Sequence, residues 1–240
     1  MVKNFRKMFQ KYKVCIVRIT VELPNGDLSN GTGFHIGSGY IVTARHVIEG
    51  NTFCEIVGGW ANQRIETGRI IYPSDKNIDL ALIETDFSLD YYMEKVTFPN
   101  ADVEKISYIE IGGHLDDWIG EEFILTNALL MGFPPIPLSA HPNIVAVKAE
   151  VNAIVDKYIG PHPHFIISSV PRGGFSGGPV ISEYGFLLGV LTESLGGQDK
   201  PVEVGFSSAI SIEPLLNLIY ENSIEIVEQS KFIKELFSEG

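Results

Sequence analysis

Cysteine is scarce in this chain, with only Cys15 and Cys54 among 240 residues. Two thiols cannot form the disulfide framework of a small secreted protein, so the fold must rest on an apolar core. The length and the 45% apolar content are sufficient for one. Long apolar runs are also missing, since Arg18 interrupts the run 14–17 behind the basic N-terminus, which argues against a signal peptide or a membrane span. We therefore expect a cytoplasmic protein.

Basic residues are outnumbered as well, with 18 Lys and Arg against 30 Asp and Glu and a formal net charge of -12. Binding to nucleic acid depends on clustered Lys and Arg that neutralise phosphates. The charge therefore argues against a nucleic-acid partner, and we expect neither nucleic acid nor membrane among the partners.

Short runs of strand type, separated by turn residues, recur through most of the chain. The runs in the first part are predicted at 13–22, 32–36, 40–43, 53–57, 64–72 and 79–84. The runs in the second part are predicted at 122–131, 144–155, 165–169, 180–182, 186–192 and 203–210. Two sets of about six strands are typical of β-barrels or sandwiches, and the irregular stretch 87–120 between them is interpreted as a connection with an insertion.

Helical periodicity is confined to the end of the chain. Apolar residues follow a helical period from Ile212, so a helix is predicted there with Ser211 as its N-cap. A second helix is predicted within 224–237, and it either packs on the body or meets a partner.

The stretch 173–178 reads GGFSGG and holds a serine between two glycine pairs, directly before an apolar strand. A serine hydroxyl is a weak nucleophile, so it needs a base within hydrogen-bond reach, and that base needs a fixed tautomer. Glycine lets the backbone approach a substrate closely, so the N–H groups of Gly174 and Ser176 can both point at one carbonyl oxygen. The alternative, a flexible surface loop, is disfavoured by the buried type of strand that follows.

Two distant segments supply the other groups that such a serine requires. His46 follows the predicted strand 40–43, and Asp79 precedes the apolar residues 80–83. Taken alone, Asp79 also fits a solvated strand end, although less well, and a lone histidine is usually a surface or core residue without a catalytic role. The order His, Asp, Ser is nevertheless that of the chymotrypsin arrangement and differs from the orders in subtilisins and α/β-hydrolases. Together the segments predict a catalytic triad of His46, Asp79 and Ser176.

These motifs resemble those of the trypsin-like serine proteases of chymotrypsin fold, nearest to the HtrA-type branch, over about residues 13–212. The resemblance implies an all-β fold of two six-stranded antiparallel β-barrels, followed by a C-terminal helical segment. We expect the first barrel over residues 13–115, the second over 116–210 and the helices over 211–238. The implied activity is hydrolysis of peptide bonds in proteins or peptides.

The resemblance also implies roles for individual residues. Ser176 would be the nucleophile, and the N–H groups of Gly174 and Ser176 would form the oxyanion hole. Thr192 lies on the strand expected to pair with the substrate backbone, and Gly205 lies on the strand that closes the pocket. Val170 falls at the floor of the specificity pocket, and its apolar side chain predicts cleavage after small or medium uncharged residues.

Two features depart from the pattern of relatives. Phe175 stands where digestive and clotting proteases have an aspartate that pairs with a newly released N-terminus, so activation of that kind is not expected. The roughly 28 residues after Ile212 are too few for the PDZ domain that HtrA-type proteins carry. Control is therefore expected from loops, with Gly173 and Gly174 able to change conformation, or from a regulatory protein partner.

No cofactor and no metal are expected, because a serine triad needs neither. His162 with His164, and His114 with Asp116 and Asp117, lack the ligand spacing of a structural zinc site and are interpreted as ordinary loops.

Two other functions remain compatible with the sequence. The same fold could be a catalytically silent module that binds a protein partner, with the triad present in the sequence but not assembled. An esterase acting on small substrates would share the chemistry and differ only in the contacts of its cleft.

Overall fold

The computed structural model describes residues 4–58, 62–88, 108–112, 121–156, 162–169, 173–196 and 203–238. Strands dominate this part of the chain and form two sheets. A helix with the length and apolar character needed to cross a bilayer is not found among these residues.

The first sheet has seven strands in the order β5-β4-β1-β2-β3-β7-β6. Its strands are β1 Ile16–Glu22, β2 Leu28–His35, β3 Tyr40–Thr43, β4 Thr52–Gly58, β5 Arg64–Ile65, β6 Thr67–Ile71 and β7 Ala81–Thr85. Every pair in it is antiparallel, and β1 with β2 and β2 with β3 form hairpins. Six strands were expected; the seventh arises because the run 64–72 is divided between β5, which pairs with β4, and β6, which pairs with β7.

The second sheet is a closed barrel of six strands in the order β10-β13-β12-β11-β8-β9. Its strands are β8 Asn127–Gly132, β9 Val145–Asp156, β10 Pro163–Ile167, β11 Pro179–Ser182, β12 Leu187–Gly196 and β13 Glu203–Ser211. The two barrel-like sheets confirm the chymotrypsin-like class of fold. The expected boundary at 115 and 116 lies outside the described residues, so the division into domains stays a prediction.

A helix that the sequence did not predict, α1 (Phe5–Tyr12), precedes the first sheet. The Asn4 side chain caps its first turn by accepting backbone hydrogen bonds. At its other end the fully buried Tyr12 donates from its hydroxyl to Gly185 O at 2.6 Å, in the second barrel. A short 3-10 turn, Lys13–Cys15, follows the helix and replaces the start of the predicted strand 13–22. The observed strand β1 therefore begins at Ile16.

Two helices end the described chain, as predicted: α3 (Glu213–Glu221) and α4 (Ser230–Ser238), the latter preceded by a 3-10 turn, Val227–Gln229. The predicted N-cap, Ser211, was wrong. Strand β13 continues through Ser211, and the cap position of α3 is Ile212, which makes no side-chain capping bond.

The end of the chain packs on the body through the side chain of Gln229, which is only 6% exposed. Its amide nitrogen donates to Ile36 O at 2.5 Å and Ile109 O at 3.3 Å, and its amide oxygen accepts from Ile111 N at 2.9 Å. Ile36 directly follows β2 in the first sheet, whereas Ile111 bridges to Leu187 in the second. Gln229 therefore links the two sheets through the segment 108–112.

The core is built from apolar side chains of both sheets, and one of the two cysteines belongs to it. Cys15 is fully buried, and burial raises the pKa of its thiol above the ordinary value. Cys54 is partly exposed, and neither cysteine forms a disulfide. The fold is thus held by packing and main-chain pairing, as the scarcity of cysteine predicted.

Candidate active site

His46 and Asp79 meet at one edge of the first sheet. The short helix α2 (Arg45–Ile48) carries His46 directly after β3, and Asp79 stands just before β7. Because Thr43 of β3 pairs with Ala81 of β7, the two residues leave the sheet side by side. The antiparallel register thus brings together two groups that are 33 positions apart in sequence.

The Asp79 carboxylate contacts His46 through both oxygens. His46 Nδ1 lies 2.7 Å from Oδ2, and the backbone N–H of His46 donates to Oδ1 at 2.9 Å. This pairing favours the tautomer with the proton on Nδ1, so Nε2 is the nitrogen that can act as a base. The side chains are 48% and 31% exposed, respectively, so the pair is accessible from solvent.

Ser176 lies in the loop before β11, where the two barrels meet. Its carbonyl oxygen accepts from Thr32 N, on β2 of the first barrel, at 2.9 Å. The next residue, Gly177, has φ +83° and packs so tightly that a Cβ there would lie 2.8 Å from Ala44 N. Ala44 is two residues before His46, so the serine loop of the second barrel rests against the turn that carries the histidine.

Gly174 holds the start of the same loop in a conformation that favours glycine, with φ +99°. Its carbonyl oxygen accepts from Thr32 Oγ at 2.5 Å and from Phe133 N at 3.2 Å. Within the described part of the chain, the backbone N–H groups of Gly174 and Ser176 donate to no backbone carbonyl. Two nearby N–H groups that have no backbone acceptor among the described residues are compatible with the sequence-predicted oxyanion hole.

Phe175, between these two donors, is 5% exposed and belongs to the apolar core. Its ring packs against Gly132 at the end of β8, where a Cβ would come within 2.8 Å of the ring. The serine loop is therefore anchored by an apolar side chain at the position where some relatives have an aspartate.

The sequence-predicted substrate-binding residues are only partly described. Thr192 on β12 is 3% exposed, and its hydroxyl donates to Ser208 O at 3.2 Å, so its side chain is turned into the barrel. Gly205 lies on β13 with φ +81°. Val170 lies outside the described residues.

Sequence reasoning missed Arg45, the neighbour of His46, which is only 6% exposed. Its guanidinium donates to Pro73 O at 2.8 Å, Asp75 O at 3.0 Å and Ile78 O at 3.4 Å. The only available signal was an arginine inside an otherwise apolar turn, which does not reveal its partners.

Of the two groups with histidines singled out in the sequence, only His162 and His164 lie within the described residues. His164 Nδ1 lies 3.0 Å from His162 O, and His114, Asp116 and Asp117 lie outside the described residues. Within the described ranges no group of three or more His, Cys, Asp or Glu side chains could hold a metal ion.

Solved structures with the same fold include proteases. The active form of the Rv3671c protease from M. tuberculosis has a TM-score of 0.62 at 17% identity, over 89% of this chain and 82% of that chain. The HtrA-type protease AlgW has a TM-score of 0.65 at 15% identity, over 92% of this chain and 64% of that chain. The serine endoprotease from Yersinia pestis has a TM-score of 0.62 at 18% identity, over 93% of this chain and 68% of that chain.

Sequence comparison gives the family. No curated protein sequence matches the chain. The family described as "Trypsin-like peptidase domain" matches residues 31–190, about two thirds of the chain, from just before Thr32 to the middle of β12. The matched range contains His46, Asp79 and Ser176. The chain therefore belongs to the trypsin-like peptidases and is a serine endopeptidase with HtrA-type proteases among its structural neighbours.

Proposed function

We propose that this protease hydrolyses peptide bonds in protein substrates through Ser176, His46 and Asp79. The observation that carries the proposal is the double contact of Asp79 with His46, directly beside the turn on which the Ser176 loop packs. Each barrel contributes part of the site, so its assembly depends on how the barrels pack.

In the acylation step, Ser176 Oγ attacks the carbonyl carbon of the scissile bond while His46 Nε2 takes the hydroxyl proton. Asp79 stabilises the resulting imidazolium and keeps the ring in place. The carbonyl π electrons move to oxygen, and the N–H groups of Gly174 and Ser176 stabilise that oxyanion. Loss of one such donor typically costs about 10²- to 10³-fold in rate.

Collapse of the tetrahedral intermediate breaks the C–N bond, and His46 Nε2 returns its proton to the leaving amine. The acyl group now forms an ester with Ser176 Oγ. A water molecule then attacks the ester, with the same nitrogen taking its proton, and the carboxylic acid leaves as Ser176 Oγ is reprotonated. No metal or cofactor enters these steps.

For the substrate, we propose an extended peptide that pairs with the main chain of β12 near Thr192, with Gly205 on the neighbouring strand leaving room for its side chains. Val170 is proposed as an apolar pocket floor, which gives cleavage after small or medium uncharged residues. A peptide library profile dominated by cleavage after Arg or Lys would contradict this specificity.

The test of the catalytic assignment is covalent labelling with a fluorophosphonate probe, which reacts with an activated serine. Wild-type protein should be labelled, Ser176→Ala should lose both labelling and peptide hydrolysis, and Ser168→Ala, an exposed serine in the same barrel, should keep both. Folded wild-type protein that is never labelled would favour the alternative, a protease-fold module that binds a protein partner. Hydrolysis of small esters without any peptide hydrolysis would favour the esterase.

We further propose that the enzyme works in the cytoplasm and is regulated by a protein partner. The proposal of location is supported by the two free cysteines, since a reducing compartment preserves thiols. Fractionation of cells expressing the tagged Ser176→Ala protein, followed by crosslinking and pull-down, tests both statements, and recovery only from an extracytoplasmic fraction would refute the location.

A further inference from the structure

The guanidinium of Arg45 is enclosed on several sides although it carries a full charge. Three backbone carbonyls accept its Nη hydrogen bonds, and its carbon Cζ lies 5.0 Å from the centre of the Tyr72 ring. Glu49, one helical turn further, places a carboxylate oxygen 3.5 Å from Nε. A buried arginine with this many partners is held in one geometry and can fix whatever it binds.

All three carbonyls belong to the loop 73–78, which connects β6 to Asp79. Within this loop the described hydrogen bonds are short-range turns, such as Asn77 N to Asp75 Oδ1 at 2.8 Å and Ile78 N to Asp75 O at 3.2 Å. Ser74, Lys76 and Asn77 point into solvent, so packing constrains only its ends. The Arg45 side chain is therefore the main described contact that holds the middle of the loop to the rest of the site.

Arg45 and His46 are adjacent in α2, and they contact adjacent parts of the opposite loop. Arg45 binds the carbonyls of 73–78, while His46 binds the carboxylate of Asp79, the next residue. The same helical turn thus contacts this part of the chain at two points, through Arg45 at Ile78 and through His46 at Asp79. The proposed base depends on the contact with Asp79.

We propose that Arg45 is a positioning residue for the catalytic triad, locking the 73–78 loop so that the Asp79 carboxylate stays aligned with His46 Nδ1. The proposal rests on the proposed function, since it assigns Arg45 a role only if His46 is the catalytic base. Arg45 touches neither the nucleophile nor the substrate, and it acts through the loop that carries Asp79.

The geometry requires an arginine. Its planar fork presents donors in fixed directions, and here they reach carbonyls on both sides of the turn. A lysine keeps the positive charge and a stem of similar length but concentrates its donors on one nitrogen. Lysine should therefore preserve the fold and lose part of the alignment.

The experiment compares Arg45→Lys and Arg45→Met with wild type in peptide hydrolysis and in the rate of fluorophosphonate labelling. Misalignment of a catalytic group can cost up to about 10²-fold, so we expect kcat and the labelling rate to fall about 10- to 100-fold in Arg45→Met, with KM unchanged. The kcat and the labelling rate of Arg45→Lys should lie between those of wild type and those of Arg45→Met. The short contact of His46 Nδ1 with Asp79 should give the wild type a far-downfield Nδ1–H proton resonance, and we expect that resonance to broaden or move in both variants.

Arg18→Met is the matched control, because Arg18 is also a partly buried arginine, bonded to Glu55 and Thr20 on the face of the first sheet. It should change the melting temperature without changing kcat. Folded Arg45→Lys and Arg45→Met proteins with wild-type kcat and an unchanged resonance would overturn the proposal. Failure of Arg45→Lys to fold would also overturn it, by placing the contribution of Arg45 in global stability. An inactive, unlabelled wild type would instead refute the proposed function.

Discussion

Thr32 in the first barrel and Gly174 in the serine loop of the second are joined by a hydrogen bond of 2.5 Å from Thr32 Oγ to Gly174 O. Thr32 N donates to Ser176 O at 2.9 Å, and Thr32 Oγ also accepts from Phe133 N at 3.1 Å. One residue of the first barrel therefore fixes the main chain of the loop that carries both the proposed nucleophile and the proposed oxyanion donors.

Replacing Thr32 by valine removes the hydroxyl at nearly constant shape. Phe133 N and Gly174 O keep the 3.2 Å hydrogen bond between them, but each loses the hydroxyl as a partner, and the loss of a hydrogen bond typically costs about 0.5–1.5 kcal/mol of the free energy of unfolding. We expect urea denaturation to show a loss of that size for Thr32→Val, together with a lower kcat/KM. Thr32→Ser keeps the hydroxyl and should retain most of both, so equal values for the two variants would contradict this account.

Gly177→Ala should disrupt the serine loop. Its φ of +83° is strained for any residue with a Cβ, and that Cβ would collide with Thr43 Oγ and Thr32 O. We expect a loss of about 2 kcal/mol or more in unfolding free energy, along with loss of probe labelling. Gly173→Ala is the control, because a Cβ at Gly173 would have no neighbour within 4 Å. Normal labelling of Gly177→Ala would show that the loop can move without consequence.

Asp79→Asn should lower kcat by about 10⁴-fold, because an amide nitrogen facing His46 Nδ1 favours the wrong tautomer. Stopped or continuous assays with a peptide substrate measure the effect. Asp75→Asn, in the same loop, keeps the Oδ1 that accepts from Asn77 N and should leave kcat near the wild-type value. A loss of less than about tenfold in Asp79→Asn would argue that the carboxylate is structural.

Glu228 in the C-terminal turn gives a pH-dependent contribution to stability. Its carboxylate accepts from Ser38 N at 3.0 Å and from Ser38 Oγ at 2.7 Å. Partial burial works to raise the pKa of Glu228, but these hydrogen bonds and the nearby His35 together hold the pKa below its ordinary value of 4.5. A carboxylate whose pKa is lower in the folded than in the unfolded state stabilises the fold at pH values above its unfolded-state pKa. This stabilisation is lost as the pH falls through the folded-state pKa.

We therefore expect Glu228→Gln to melt at a lower temperature than wild type at pH 7, with the difference shrinking as the pH falls below about 4.5. Scanning calorimetry across this range measures it. Glu225→Gln removes only an exposed ion pair, in which Glu225 Oε1 lies 3.9 Å from Lys234 Nζ. Its melting temperature should differ little from that of wild type at pH 7 or below pH about 4.5. A difference for Glu228→Gln that grows on acidification would contradict the assignment.

The strands were predictable wherever local pattern and turn chemistry agree. Strand β3 has the predicted bounds, because the turn Gly37-Ser38-Gly39 marks its start and its residues have high β propensity. The proximity of His46 and Asp79 was also predicted, because their segments resemble those that carry the histidine and the aspartate in trypsin-like proteases. The substrate pocket could not be predicted in the same way, because the placement of Val170 at its floor depends on loop geometry that the sequence does not determine.

Other features depend on contacts between distant residues, which a local pattern cannot show. Helix α1 is stabilised by the Asn4 cap and by the bond from Tyr12 to Gly185, 173 positions away. The split of the run 64–72 follows from Glu66, whose N–H donates to Asp86 Oδ1 at 2.9 Å where the chain changes its pairing partner. The roles of Arg45 and Gln229 likewise arise only once main-chain carbonyls are brought to them by folding.

The hydrogen bonds of Gln229 that link the two sheets also bear on the order in which the protein assembles during synthesis. Gln229 emerges from the ribosome after both barrels, yet its side chain bonds Ile36 near the start of the chain and Ile111 in the connecting segment. During synthesis both barrels are therefore complete in sequence before the segment 108–112 can form its hydrogen bonds with Gln229. We therefore expect this link between the two sheets to form only after the C-terminal turn Val227–Gln229 has been synthesised and has docked.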